Sequence, residues 1–564
     1  MNLSERSAID RHCASGIWGD ATLMDLFEGW ATRQPEKLAL ADPPNRSEIT
    51  DGPPHRMTYA QLAATVRNLT YVFRSLQLEN GDVIAFQLPN TVEQVIVILA
   101  AVECGLIVSP LPLLWREHEF RTALPLIGPK VLLTSSNISD RDHAELMCTA
   151  AAENMTIRAV LSFGAEVPDG VVGLDAIFTV ADIAEELGEI PDNLPSDAND
   201  VATVCWVGDD ALKPCPVPRS HNQWIAAGMM NLLECDIDGN SIILSPYPMT
   251  GIVPIGALLV PWLLSGATLC LHHPFDLPVF AQQLRSETVT ITALPPAVID
   301  LLKADGEFDS DGAASSLQTL SCVWPGPVLP KDAEEHAADL MIPVVDVRML
   351  GEMAYISKKR VAGERPAQLE HGELTYPTYK SGGAVLMETR VKGGISSNDK
   401  VASLLTGDLM IKSPMMFDAY YPPAIDGVDE PLIAKDSQGF INTGFRCLLT
   451  GTSSPKVDII RKNSNVIFYG GLSVSANELD QLYAEYQGIS DAAAFTFEDP
   501  VMGERILAAI VPNPGETISF SDFVDYLNDR QVAPYKVPDR LVTVKNIPRD
   551  TDGSVLRNKV MEQI

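Results

Sequence analysis

Apolar positions in the first half of the chain follow two spacings in turn. Leu62, Val66, Leu69, Phe73 and Leu76 recur every three or four residues, as on one face of a helix, and Gly81-Asp82 then turns into VIAFQL (83–88), a short apolar run closed by Pro89-Asn90. This pattern predicts a helix, a turn and a buried strand. VEQVIVILAAVECG (92–105) predicts a second helix stopped at Gly105, LIVSPL (106–111) a second strand and VLLTS (131–135) a third. The alternation returns over 241–300, where SIILSP, ATLCLH and VTITAL are separated by helical material. Such repetition predicts an α/β fold with largely parallel strands. Between about 360 and 450 the texture changes to short strands and Gly/Pro turns, such as GDLMIKSP (407–414), which predicts a barrel-like β subdomain. The last hundred residues read as a small α+β unit, with a helix from Ala476 to Tyr486 and a strand pair in AAAFTF (492–497) and RILAAIVP (505–512). The expected division is 1–460 and 461–564. Gly251 to Leu271 is uncharged and has membrane-spanning length, but Pro254, Pro261 and Ser265-Gly266 interrupt it, so a buried helix followed by a buried strand is expected rather than a membrane span.

Composition sharpens this picture in one respect. With 46% hydrophobic and 20% charged residues, the 564-residue chain can bury a large core. Its 41 Lys plus Arg against 74 Asp plus Glu give a net charge of −33, a field that repels polyanions and excludes nucleic acid as a bulk partner. Nine cysteines are scattered without CxxC pairs or zinc spacing, and the N-terminal stretch MNLSERSAIDRHC has no apolar signal core, so reduced thiols and a cytoplasmic protein are expected.

Several segments, in order, carry a family resemblance. MTYAQL (57–62), GDVIAFQLPN (81–90), SGAT (265–268), FD (275–276) and LPP (294–296), then GFINTG (439–444), YGGLSVSANELD (469–480), YKVP (535–538) and PRDTDGSVLR (548–557), resemble landmarks of the adenylate-forming ligases, the superfamily of acyl-CoA synthetases, peptide-synthetase adenylation domains and luciferases. The resemblance runs from about residue 20 to residue 560. It implies a large N-terminal domain and a small mobile C-terminal lid. It also implies a reaction in which a carboxylic acid and ATP form an acyl adenylate, whose acyl group passes to a thiol such as that of CoA.

The segments that such chemistry needs are altered here. The family's phosphate loop, Ser/Thr/Gly-rich and ending in Pro-Lys-Gly, lets backbone N–H groups approach the phosphates. The stretch that matches it is VGDDALKPCPVPRSH (207–221), with Asp209 and Asp210 in the loop, Cys215 at the lysine position and Lys213 two residues before it. The segment that in the family ends in Thr-Glu and helps hold magnesium is LGEMA (350–354), which keeps Gly351 and offers Glu352 two positions early. At the family's ribose-binding Thr-Gly-Asp the chain has Thr443, Gly444 and Phe445, and a phenyl ring accepts no hydroxyl hydrogen bond. Lys462 stands on a family arginine with Arg461 beside it, and Asn465 on the hinge aspartate, before the retained Gly470-Gly471. Ser554 occupies the position of the lysine that stabilises the adenylation transition state, where fixed positive charge matters most.

Five altered sites within a retained scaffold point to a pseudo-ligase, impaired in adenylation and kept for an acyl or CoA-type ligand or for a partner such as an active synthetase or an acyl-using enzyme; no cofactor is then expected. The alternative is an active acyl-CoA synthetase using ATP, magnesium and CoA, with the metal held by Asp209 and Asp210. A third reading is acyl transfer on the same pocket, with Cys215 near His221 as its lead. From Lys536 to Lys559, six basic residues face three acidic ones, a local excess expected to receive CoA phosphates or a partner's acidic face.

Overall fold

The computed structural model describes residues 1–180, 196–208, 213–361, 365–366, 368–376, 384–393, 405–421, 433–451, 455–462, 465–470, 472–499, 501–551 and 553–561. Within them the predicted alternation is present. The first amphipathic run forms the helix Tyr59–Ser75, capped by Thr58 and Gln61 through reciprocal hydrogen bonds, and is followed by the strand Val83–Gln87. The helix Val92–Glu103 is apolar all round and buried along nearly its whole length, as a helix enclosed by other elements must be. It belongs to one continuous core that includes Ile84 and Leu133 of one sheet and Ile243 and Leu269 of another.

Two mixed sheets dominate the first part of the chain. In the larger one, Val344–Leu350, Thr319–Trp324, Ile291–Leu294, Ile242–Ser245, Thr268–Leu271 and Leu38–Ala41 lie side by side in parallel, with Ala354–Lys359 and Arg56–Thr58 as antiparallel edges. The second places Val201–Val207, Ile107–Pro110, Val83–Gln87, Val131–Ser135 and Ala159–Phe163 in parallel, with Cys215–Ser220 antiparallel at one edge. The uncharged stretch from Gly251 forms helical turns over Val253–Leu259 and Val260–Ser265, ended by Gly266 in a left-handed conformation, and then the strand Thr268–Leu271. Among the described residues no helix is long and apolar enough to cross a membrane.

The third sheet is antiparallel throughout, running Leu369–Glu370, Lys456–Lys462, Ile441–Thr450, Leu405–Lys412, Ala384–Lys392 and Gly372–Tyr376. Its two edge strands are separated in sequence by His371 alone. A single residue spans less than 4 Å, so the sheet must curl until its edges nearly meet, which gives the barrel-like form. The chain then enters another sheet at Val466–Tyr469, which pairs with Leu472–Ser475 and Gly503–Pro512, while Ile489–Asp499 and Arg540–Thr543 complete the small C-terminal unit.

His221 joins distant parts of this framework. Its Nδ1 accepts the Leu23 amide at 3.2 Å and its Nε2 lies 3.3 Å from the Ser196 hydroxyl. Burial pulls its pKa down to about 4. Because the unfolded chain binds a proton at this site between pH 6.5 and 4 and the folded chain does not, stability is lost as the pH falls through that window. The loss from this residue alone is expected to approach roughly 3 kcal/mol. His221→Asn keeps an acceptor near Nδ1 and removes the titration. The fall in melting temperature between pH 7 and pH 4.5 should therefore be smaller in this variant than in the parent protein.

Candidate functional site

A cavity of about 550 Å³ opens where the strands end. The parallel strands of the larger sheet point their C-terminal ends at it, the usual location of a ligand crevice in an open α/β sheet. The sequence halts three of the six with proline, which lacks the N–H needed to continue a ladder. Pro246 follows Ser245, Pro295 follows Leu294 and Pro325 follows Trp324, and each lines the cavity. Tyr247 and Pro248 extend the first of these turns, and His273 and Phe275 follow the strand that ends at Leu271. The second sheet contributes Trp115 and Gly208, and the C-terminal unit closes the remaining side with Phe468, Gly470, Ser473, Glu478 and Lys536.

Charge in the wall is concentrated in two buried ion pairs. Lys536 is 1% exposed, and its Nζ lies 2.6 Å from Glu478 Oε1 and 3.1 Å from Glu119 Oε1. Burial by itself would lower the lysine pKa, but the charges of Glu478, Tyr535 and Glu119 outweigh it and raise it. Glu119 belongs to the helix Glu117–Ile127 and also accepts the amides of Arg116 and Ala533, each at 3.1 Å. Beside it Trp115 Nε1 donates to the Tyr535 hydroxyl at 3.0 Å. Segment 115–119 thus holds segment 533–536 across the interface. The second pair joins Arg219 to Glu352 at 3.2 Å, with the guanidinium also over the Trp224 ring at 4.9 Å. Burial pushes the Glu352 carboxyl up, and Arg219 opposes the shift. Its Oε1 accepts the Ile252 amide at 3.1 Å, so Glu352 ties the turn before Val253 to the strand Cys215–Ser220. His273 adds no charge at neutral pH, since burial pulls its pKa down to about 4.

The C-terminal unit also sits on the start of the altered phosphate loop. Gly208 N–H donates to Ser473 Oγ at 2.8 Å, and a Cβ at Gly208 would stand 2.5 Å from the Ser473 carbonyl oxygen. Only glycine permits this approach.

Of the residues expected from sequence, Gly351, Glu352 and Gly470 line the cavity. The other described ones do not converge there. Thr443, expected at the nucleotide, is buried in the antiparallel sheet, where its hydroxyl donates to the Leu409 carbonyl at 2.9 Å and accepts the Phe445 amide at 3.2 Å. Lys462 is paired with Glu504 at 2.8 Å and donates to the Val466 carbonyl, which fastens the junction between sheets. Arg461 is exposed on the same strand and does not line the cavity. Ser554 is exposed in a turn, where its amide bonds to Asp550 at 2.9 Å, also away from the cavity. Lys213 is exposed, and Cys215 Sγ lies 3.8 Å from its carbonyl oxygen. Cys215 and His221 flank a six-residue strand, so they are roughly 20 Å apart and form no nucleophile–base pair. Asp209, Asp210 and Gly471 lie outside the described residues, and among the described residues no group of three metal-ligating side chains occurs. The basic excess near the C-terminus is largely paired: besides Lys536, Arg549 meets Asp491 at 2.6 Å and Arg557 meets Asp480 at 2.9 Å. Trp324 turns away from the cavity to bond Asp346, as strand alternation requires when Val323 and Pro325 face it.

A family model described as AMP-binding enzyme matches residues 27–421, and one described as AMP-binding enzyme C-terminal domain matches 478–553. The chain belongs to the AMP-binding enzyme family. It is 22% identical to a medium-chain fatty-acid–CoA ligase of Escherichia coli (strain K12), covering 97% of this chain and 92% of that one. A salicylyl-CoA synthase / salicylate adenylyltransferase of a Streptomyces species is 23% identical, with coverage of 99% and 96%. The fold is similar to that of the amide bond synthetase McbA from Marinactinospora thermotolerans, with a TM-score of 0.73 at 17% identity over 96% of this chain and 99% of that one.

The family implies ATP, yet the described residues do not fit a triphosphate bound in the way the resemblance implies. The Gly208 amide is taken by Ser473, Glu352 by Arg219, and Thr443 by its own sheet. Motif reading missed Glu119 and Arg219. Glu119 stands third in its helix, where an acidic residue ordinarily caps a terminus, and Arg219 is a lone cation in an apolar strand.

Removing the Lys536 charge would leave two buried carboxylates facing each other. Lys536→Met is expected to weaken docking of the C-terminal unit by about 3–5 kcal/mol. Gly208→Val should lift the same unit by collision with Ser473. Both variants are expected to show a larger radius of gyration in small-angle scattering and faster proteolysis between the two units than the parent protein.

Proposed function

We propose that the protein binds an acyl compound in this cavity and has lost ATP-dependent adenylation of a carboxylic acid. One observation carries the reading: Lys536 is the one Lys or Arg among the described residues lining the cavity, and it is held by two carboxylates, while Ser554 supplies no charge in place of the family lysine. Among the described residues, a developing negative charge at an adenylation centre would meet no free fixed cation. The ligand is an acyl or CoA-type molecule, in keeping with relatives named for acyl and aryl CoA chemistry. Gly470 and the helix that carries Glu478 form an edge that in CoA-using members of the resembled family lies near the thiol donor, and both residues line the cavity, which supports a thioester-type ligand. The protein acts beside an active synthetase or an acyl-using enzyme and needs no cofactor of its own. The change of sheet between Lys462 and Val466 supports dividing the chain near 460/461, with the second unit as a movable lid. The nine free cysteines support a cytoplasmic setting.

The intact cavity and thiol-facing edge favour a second reading, an active acyl-CoA synthetase in which Asp209 and Asp210 hold magnesium against ATP. ATP–pyrophosphate exchange over a panel of aryl and medium-chain acids separates the two. No exchange above background is expected, together with thermal stabilisation by acyl-CoA but not by ATP with magnesium. A ligand present at a hundred times its Kd should add about 2.7 kcal/mol. Exchange that disappears in Asp209→Ala would establish the active ligase instead.

A further inference from the structure

We infer that the cavity selects acyl groups in uncharged linkage, such as thioesters, esters or amides, and rejects the corresponding free carboxylates. The inference rests on the acyl-binding reading above and concerns the charge of the ligand that this same site takes.

Two independent features carry it. The first is charge. Among the described residues that line the cavity, Glu352 and Glu478 are acidic and Lys536 is basic. Immediately behind them Arg219 offsets Glu352 and Glu119 adds a second carboxylate to Lys536, which leaves the wall with a net negative charge. Arg116 stands next to Trp115 but donates to the carbonyls of Leu113 and Trp115, and Lys213 is exposed without lining the cavity. A carboxylate entering this space would be desolvated beside like charge with no free cation to receive it. An ester or thioester carbonyl carries no such penalty.

The second feature is the backbone. Seven prolines line the cavity, among them Pro112, Pro214, Pro246 and Pro254. Each contributes a carbonyl and no N–H, so a wall rich in proline is poor in the amide donors that hold an anion. The Gly208 amide is already engaged by Ser473. The donors left include the hydroxyls of Thr250 and Ser473, that of Tyr247, which is buried with no partner among the described residues, and the neutral His273 imidazole. Neutral hydroxyls suit a neutral carbonyl. Three exposed apolar side chains, Leu114, Phe275 and Val501, extend the lining to the surface, so an apolar acyl tail meets a continuous apolar path.

The test uses the full-length protein and matched probes: octanoic, cinnamic and indole-3-acetic acids, their methyl esters and their N-acetylcysteamine thioesters. Binding is measured by isothermal titration at neutral pH. For at least one acyl group the ester or thioester is expected to bind at least about tenfold more tightly than the acid. Glu478→Gln removes one negative charge beside Lys536 and should narrow that ratio by strengthening acid binding more than ester binding. Should that variant fail to fold, lowering the pH toward the acid's own pKa in the parent protein must narrow the ratio instead. Acids that bind as tightly as their esters, or a panel in which no ester binds, overturn the inference. Its failure is distinct from that of the acyl-binding reading: acid binding without pyrophosphate exchange would leave the lost-adenylation reading standing and remove only the charge selection.

Discussion

The arrangement of the whole chain depends on one ammonium group. Lys536 is buried between Glu119 and Glu478, and a buried charge of either sign is tolerable only while its partners stay in place. Glu478 belongs to the same unit as Lys536, but Glu119 lies across the interface, 417 positions earlier in sequence. The pair therefore does more than add attraction. It makes one orientation of the C-terminal unit electrostatically complete and leaves other orientations with an orphaned carboxylate. The Trp115–Tyr535 bond and the Gly208–Ser473 contact then fit only that orientation.

The cavity follows from a simpler rule. Prolines end successive parallel strands at one level of the larger sheet, and the chain turns away there each time, leaving a depression that the C-terminal unit roofs. At its wall and away from it, groups expected at a nucleotide have internal partners. Glu352 braces Arg219 and the Ile252 amide, Thr443 bonds within its sheet, and Lys462 holds the junction through Glu504. These residues make structural contacts at or near positions where the family resemblance implies ligand contacts.

Much of the fold was legible because periodicity is local. The helix Tyr59–Ser75, the strands Val83–Gln87 and Val131–Ser135, and the helix-then-strand over the uncharged stretch all follow from spacing, glycine and proline. The site was legible only by position. Motif order located Gly351, Glu352 and Gly470 at the cavity, but it could not tell that Thr443 points into its own sheet or that Lys462 meets Glu504. Strand alternation likewise sends Trp324 to Asp346 and gives the cavity its neighbours Val323 and Pro325. The Glu119–Lys536 pair had no signal at all, because nothing in one sequence links two charges separated by most of its length.

The Gly208 amide is a single donor with two claimants. It donates to Ser473 here, and one N–H cannot at the same time give a well-aligned bond to an anion at the loop. Contact with Ser473 and binding of an anion at this amide would therefore exclude each other. Whatever tightens one weakens the other by the same free energy.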